Sequence, residues 1–251
     1  MMQMTDTVKQ LLIINIIFYI GANLTLPISY DLFALHFPLN SDFYWWQPIT
    51  HMFMHAAMPN LMHLVFNMFG LVMFGSALEH FWGGKKFIFF YISCGLGAAM
   101  LHTGMNYYEF QKGLEFLSSQ GFSNSEVISL LHEGKYNDSW KQLMSDSQFN
   151  DFMSSYLVPA VGASGAIYGI LVAFAFMFPN AELMLLFLPI PIKAKYFVPV
   201  LVLGDLIMGI TGSSLFGGGG IAHFAHVGGA LTGFLMMWYW KKNQFNKNRW
   251  N

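Results

Sequence analysis

The chain has 251 residues, of which 55% are hydrophobic and only 10% charged, with a mean hydropathy of +0.46. Soluble domains carry roughly 25% charged residues, so most of this chain must face something other than water, which excludes a soluble esterase. The net charge of −1 argues against a nucleic-acid partner, and the single cysteine, Cys94, excludes an internal disulfide or a Cys-based metal cluster.

Six apolar stretches are long enough to cross roughly 30 Å of hydrocarbon: residues 11–29, 61–80, 86–105, 160–178, 195–212 and 221–240. They predict one all-α polytopic membrane domain over residues 1–251, a bundle of six transmembrane helices. Lys9 precedes the first stretch as in a signal peptide. Leu24-Thr25-Leu26-Pro27 offers no small-x-small cleavage site, so a retained helix is expected.

Basic residues fix an orientation. Lys9, Lys85, Lys86, Lys193, Lys195, Lys241, Lys242, Lys247 and Arg249 all fall on one side of a six-span bundle, nine of the 12 basic residues. The opposite side receives residues 30–60, with Asp31 and Asp42 and no Lys or Arg, and residues 106–155, with seven acids and three lysines. Both termini are therefore expected in the cytoplasm, the membrane being a bacterial inner (plasma) membrane. Residues 106–155 are the main break in composition. They read as an extended extracytoplasmic loop with one or two surface helices, such as Glu126 to Leu131. Residues 213–220, Ser-Ser-Leu-Phe followed by four glycines, read as a lid gating water and substrate.

Three polar clusters lie at the outer starts of spans two, four and six. They are His51, His55, His63 and Asn67; Gly162-Ala163-Ser164-Gly165 with Tyr168; and His223 with His226. From Ser164 to Phe178 there are fifteen residues, or about 22 Å of helix, roughly 8 Å short of the hydrocarbon thickness. Ser164 is thus expected below the outer surface, after irregular backbone that survives there only beside protein or a wet cavity. A serine hydroxyl needs a neighbouring base, and His226 is in phase with Gly229 and Gly233. Gly165 and Gly169 on span four, facing that Gly229-x-x-x-Gly233 pattern, let two helices approach closely. Tyr168, one turn after Ser164, can support the imidazole. His63 and Asn67, four apart, share a helical face; with the Ser164 amide they can donate to an oxyanion. No Asp or Glu is expected at that depth, which makes the pair a dyad.

Gly162-x-Ser164-Gly165, His226 with Gly229 and Gly233, His63-x-x-x-Asn67, and Gly75-x-x-x-Glu79-x-x-x-Gly83 together resemble the signatures of the rhomboid family, over roughly residues 45–240. The resemblance implies a six-helix rhomboid core and a Ser–His dyad. It further implies an intramembrane serine endopeptidase without cofactor or metal, cleaving single-pass membrane proteins within or near their spans after a small residue. The family roles carry over as Ser164 nucleophile, His226 base, Tyr168 beneath His226, and His63, Asn67 and the Ser164 amide as oxyanion donors. Residues 106–155 exceed the family's usual connection, and Pro59 marks an insertion between His55 and His63.

Blander readings stand beside these. Ser164 can be a packing serine, and His226 and His63 hydrogen-bonded core histidines. His51 and His55 can structure a loop or hold a metal, and His223 can compete with His226 as base. Glu79 is expected to satisfy donors near the cytoplasmic end, and Asp205 to have a structural partner. At the level of function, the alternatives are a catalytically silent rhomboid-like binding or quality-control protein, and a small transporter.

Overall fold

In the computed structural model, residues 3–185, 188–212 and 220–247 are described. The chain opens with α1 (Asp6–Leu24), rich in Leu and Ile. Its free N-terminal amides are met by a carboxylate from another span: Glu79 accepts from the amides of Thr7 at 3.0 Å and Val8 at 2.9 Å, and from Thr5 Oγ1 at 2.5 Å. A negative charge there also suits the positive end of the helix dipole. Glu79 therefore satisfies donors, as expected.

Short helices α2 (Ile28–Phe33) and α3 (Gln47–Thr50) follow, the latter running into a 3₁₀ turn at His51–Phe53. The second span is α4 (Leu61–Gly70), one π-type turn at Leu71–Gly75, and α5 (Ser76–Trp82). It stops at Gly83, whose φ of 74° suits glycine.

The third helix departs from the sequence expectation. α6 runs from Gly84 to Ser119, 36 residues, well past residue 105. Hydropathy falls there because Asn106, Glu109, Gln111 and Lys112 enter, yet Phe110, Leu114 and Leu117 keep the helical spacing of a buried face. That face packs with α7 (Asn124–His132), α8 (Asp138–Leu143) and α9 (Asp146–Leu157) around Trp140 and Phe152. Residues 106–155 are thus a helical cap with its own core, not a loop with one or two surface helices. Phe37 enters that core, while Tyr156 Oη and His132 Nε2 both reach the Leu39 carbonyl, at 3.0 and 3.1 Å.

α10 (Ser164–Met177) is short and buried nearly all round, with Ala166, Ile170 and Ala173 in the main core beside Phe87, Tyr91 and Cys94 of α6. An antiparallel hairpin, β1 (Glu182–Leu185) with β2 (Leu188–Lys193), leads to α11 (Ala194–Thr211), and α12 (Gly220–Lys247) closes the bundle. Residues 213–219, which carry most of the expected lid, lie outside the described residues.

Among the described residues, four helices are long and apolar enough to cross a membrane: Asp6–Leu24, Leu61–Trp82, Gly84–Ser119 and Ala194–Thr211. Ile17, Met73, Phe89, Val200 and Ile210 point outward from them, an apolar exterior that only lipid satisfies. The fold is an all-α polytopic membrane fold.

Candidate active site

Gly162 starts the site. Its φ of 129° is strained for any residue with a side chain, and a Cβ there would stand 3.1 Å from the His63 ring. Its amide donates to the His51 carbonyl at 2.9 Å, and Ala160 exchanges two backbone hydrogen bonds with Leu35. These partners come from residues 34–53 and satisfy irregular backbone that hydrocarbon would penalise. The chain then turns into α10 with Ser164 as its first residue.

α12 comes closest to α10 at glycines. A Cβ on Gly229 would strike the Gly165 carbonyl oxygen, and one on Gly233 would fall 2.8 Å from Gly169 Cα. Backbones this close bring His226 to Ser164, Nε2 to Oγ, at 2.8 Å. Tyr168 lies flat beneath the imidazole, ring centroids 4.3 Å apart and planes 9° from parallel.

Asp205 of α11 joins them. Its Oδ1 stands 3.2 Å from His226 Nδ1 and 2.5 Å from His223 Nδ1, and Tyr168 Oη donates to its Oδ2. The expectation that no carboxylate accompanies the pair is therefore corrected. The sequence signal was present: Asp205 is an acid inside an apolar span, and such groups are costly enough to mark function. What the sequence could not supply was the face of α11 that meets α10 and α12. His223 serves Asp205, and its Nδ1 is turned to the carboxylate. The ligand atoms of Asp205, His223 and His226 all lie within 4.8 Å of one another, close enough to hold a metal ion. Hydrogen bonding accounts for the cluster without one.

His63 faces this group from α4. The Ala56 amide donates to its Nδ1 at 3.0 Å, so the ring proton must sit on Nε2. A hydrogen-bond donor is thereby presented beside Gly162, on the Ser164 side. Asn67 is arranged differently: Nδ2 donates to the His63 carbonyl at 2.7 Å, and Oδ1 is buried without a partner among the described residues. His55 packs beside His63, its Nε2 2.8 Å from Asn15 Oδ1 of α1 and its ring 5.4 Å from that of His63. His51 bonds the Gln47 carbonyl at 3.0 Å. Both histidines are pushed down by burial, His51 to about 4 and His55 to about 3, so both are neutral, as suits loop-structuring residues. An apolar cavity of about 500 Å³ opens beside Ala56 and Val161, lined also by Leu26, Pro27, Tyr30 and Ala57.

Comparison with known proteins matches residues 42–243 to the Rhomboid domain. The chain is 28% identical over 202 residues to the rhomboid protease AarA of Providencia stuartii, covering 76% of this chain and 54% of that protein. It is 36% identical over 84 residues to the mitochondrial rhomboid protein 1 of Saccharomyces cerevisiae, covering 34% of this chain and 23% of that one. The chain thus matches about half the length of the first relative and about a quarter of the second.

Proposed function

The chain belongs to the rhomboid family, a family of intramembrane proteases, and we propose that it is itself an active serine endopeptidase. Its substrates are single-pass membrane proteins, cut within or beside their spans. The observation that carries this reading is the 2.8 Å separation of Ser164 Oγ and His226 Nε2 over the Tyr168 ring.

Ser164 Oγ attacks the scissile carbonyl carbon while its proton passes to His226 Nε2. The carbonyl electron pair moves onto the oxygen, which meets the Nε2 proton of His63, the Ser164 amide and the Asn67 side chain. Collapse expels the amine, which takes the proton from His226, and water repeats the sequence to release the acyl half. The apolar cavity beside Val161 suits an apolar substrate side chain near the cut. Six crossings with both termini in the cytoplasm open this site to the extracytoplasmic side, since nine of 12 basic residues then share the cytoplasmic face. A plasma membrane of bacterial type suits that arrangement.

The test is cleavage of a generic single-pass rhomboid substrate in detergent, with fluorophosphonate labelling in parallel. Wild type should cleave and label, and Ser164→Ala should do neither. A folded wild type that does not label would make the chain a silent member of its family.

A further inference from the structure

We propose that Asp205 is a positioning residue that turns the Ser164–His226 pair into a serine–histidine–aspartate array. The inference rests on the reading of Ser164 as nucleophile and His226 as base.

Asp205 is 3% exposed and lies in the apolar helix Ala194–Thr211. A carboxylate in such a place is costly unless its oxygens are occupied. Three donors occupy them: His223 Nδ1 and His226 Nδ1 at Oδ1, and Tyr168 Oη at Oδ2. Two of the three belong to the catalytic group itself, the base and the ring stacked under it.

The consequence for His226 is set by hydrogen-bond chemistry. An ionised carboxylate only accepts, so the neutral imidazole must carry its proton on Nδ1. Nε2 then presents a lone pair to the Ser164 hydroxyl, which is the tautomer a general base requires. When the seryl proton arrives on Nε2, the ring becomes a cation facing Asp205, and its charge is balanced until the leaving amine takes the proton. Tyr168, held by the other oxygen, keeps the ring plane fixed meanwhile. One carboxylate thus sets both the tautomer and the orientation of the base. Without it, either nitrogen of His226 can carry the proton.

The full chain in detergent, with ¹⁵N-labelled histidine, provides the test. In wild type, the His226 signals, assigned by their loss in His226→Gln, should report the Nδ1-protonated neutral ring. An Nε2-protonated ring would overturn the proposal without any Asp205 variant. In Asp205→Asn, kcat should fall on the order of a hundredfold or more with KM unchanged, and His226 should lose its tautomer preference. A folded Asp205→Asn with wild-type kcat would overturn the proposal. So would a kcat loss that leaves the tautomer untouched and lowers the melting temperature, since that marks a purely structural tie between helices. Cleavage persisting in Ser164→Ala would instead sink the serine-protease reading beneath it.

Discussion

At the scale of single residues, the two oxyanion candidates are not equivalent. The Ala56 amide occupies His63 Nδ1 and leaves Nε2–H as the ring's donor, whereas Asn67 already spends a donor on the His63 carbonyl. His63→Ala should therefore cost about 2.7–4 kcal/mol in the transition state, and Asn67→Ala less, read as kcat/KM on one substrate. Equal losses would mean that Asn67 turns toward the substrate on binding. Two other histidines set a pH limit on stability. His51 and His55 are buried neutral, with values depressed from 6.5 to about 4 and about 3, and with His102 and His63 as their charged-state neighbours. As pH falls below 6.5 the unfolded chain binds protons that the folded one refuses, so stability declines toward those values by about 1.4 kcal/mol per pH unit for each group. Melting temperature should fall from pH 6.5 to 4. The fall should be shallower in His55→Gln, which can still donate to Asn15.

At the scale of elements, the site depends on how near α12 comes to α10. Gly233→Leu places a side chain where Gly169 Cα and its carbonyl oxygen stand 2.8 Å from the Cβ position alone, so the helices must part. An ångström of added separation between Ser164 and His226 can cost about 10²-fold in rate. Gly233→Leu should lose cleavage and fluorophosphonate labelling by that order, while Gly104→Ala, with open space at its Cβ, should keep both. The sequence made this contact legible, because Gly229-x-x-x-Gly233 states its own geometry. It made the cap illegible for the opposite reason. The face of Phe110, Leu114 and Leu117 is interleaved with Glu109, Lys112 and Glu115, so hydropathy ends at residue 105 though the helix does not. Trp140 and Phe152, which close that core, come from short helices that only tertiary contact brings together. Asp205 was visible as an oddity, but its partners depend on the rotation of α11, which no local pattern encodes.

At the scale of the whole molecule, α10 is the shortest of the six spans expected from the sequence. Its 14 residues make about 21 Å of helix, short of the roughly 30 Å of hydrocarbon. Lipid thickness constrains a helix that touches lipid, however, and α10 is enclosed, with Gly165, Ile170 and Ala173 buried among its neighbours. At its N-terminal end, the backbone of Ala160 and Gly162 is satisfied by Leu35 and His51, so the chain can end its crossing short of the membrane surface. At its C-terminal end, Pro179 and the β1–β2 hairpin carry it on to Lys193 and Lys195. A short helix can therefore complete a crossing that protein, not helix, finishes. This can be read directly, since Cys94 is buried and leaves introduced cysteines to report alone. Ser125→Cys in the cap and Lys242→Cys, near the C-terminal end of α12, are separated by three crossings if α10, α11 and α12 all span. On intact cells an impermeant maleimide should label Ser125→Cys at once and Lys242→Cys only after permeabilisation. Labelling of both from outside would mean that one of the three does not cross. The six-span topology would then fall, although the labelled cap would keep Ser164, which follows it in the chain, near the outer face.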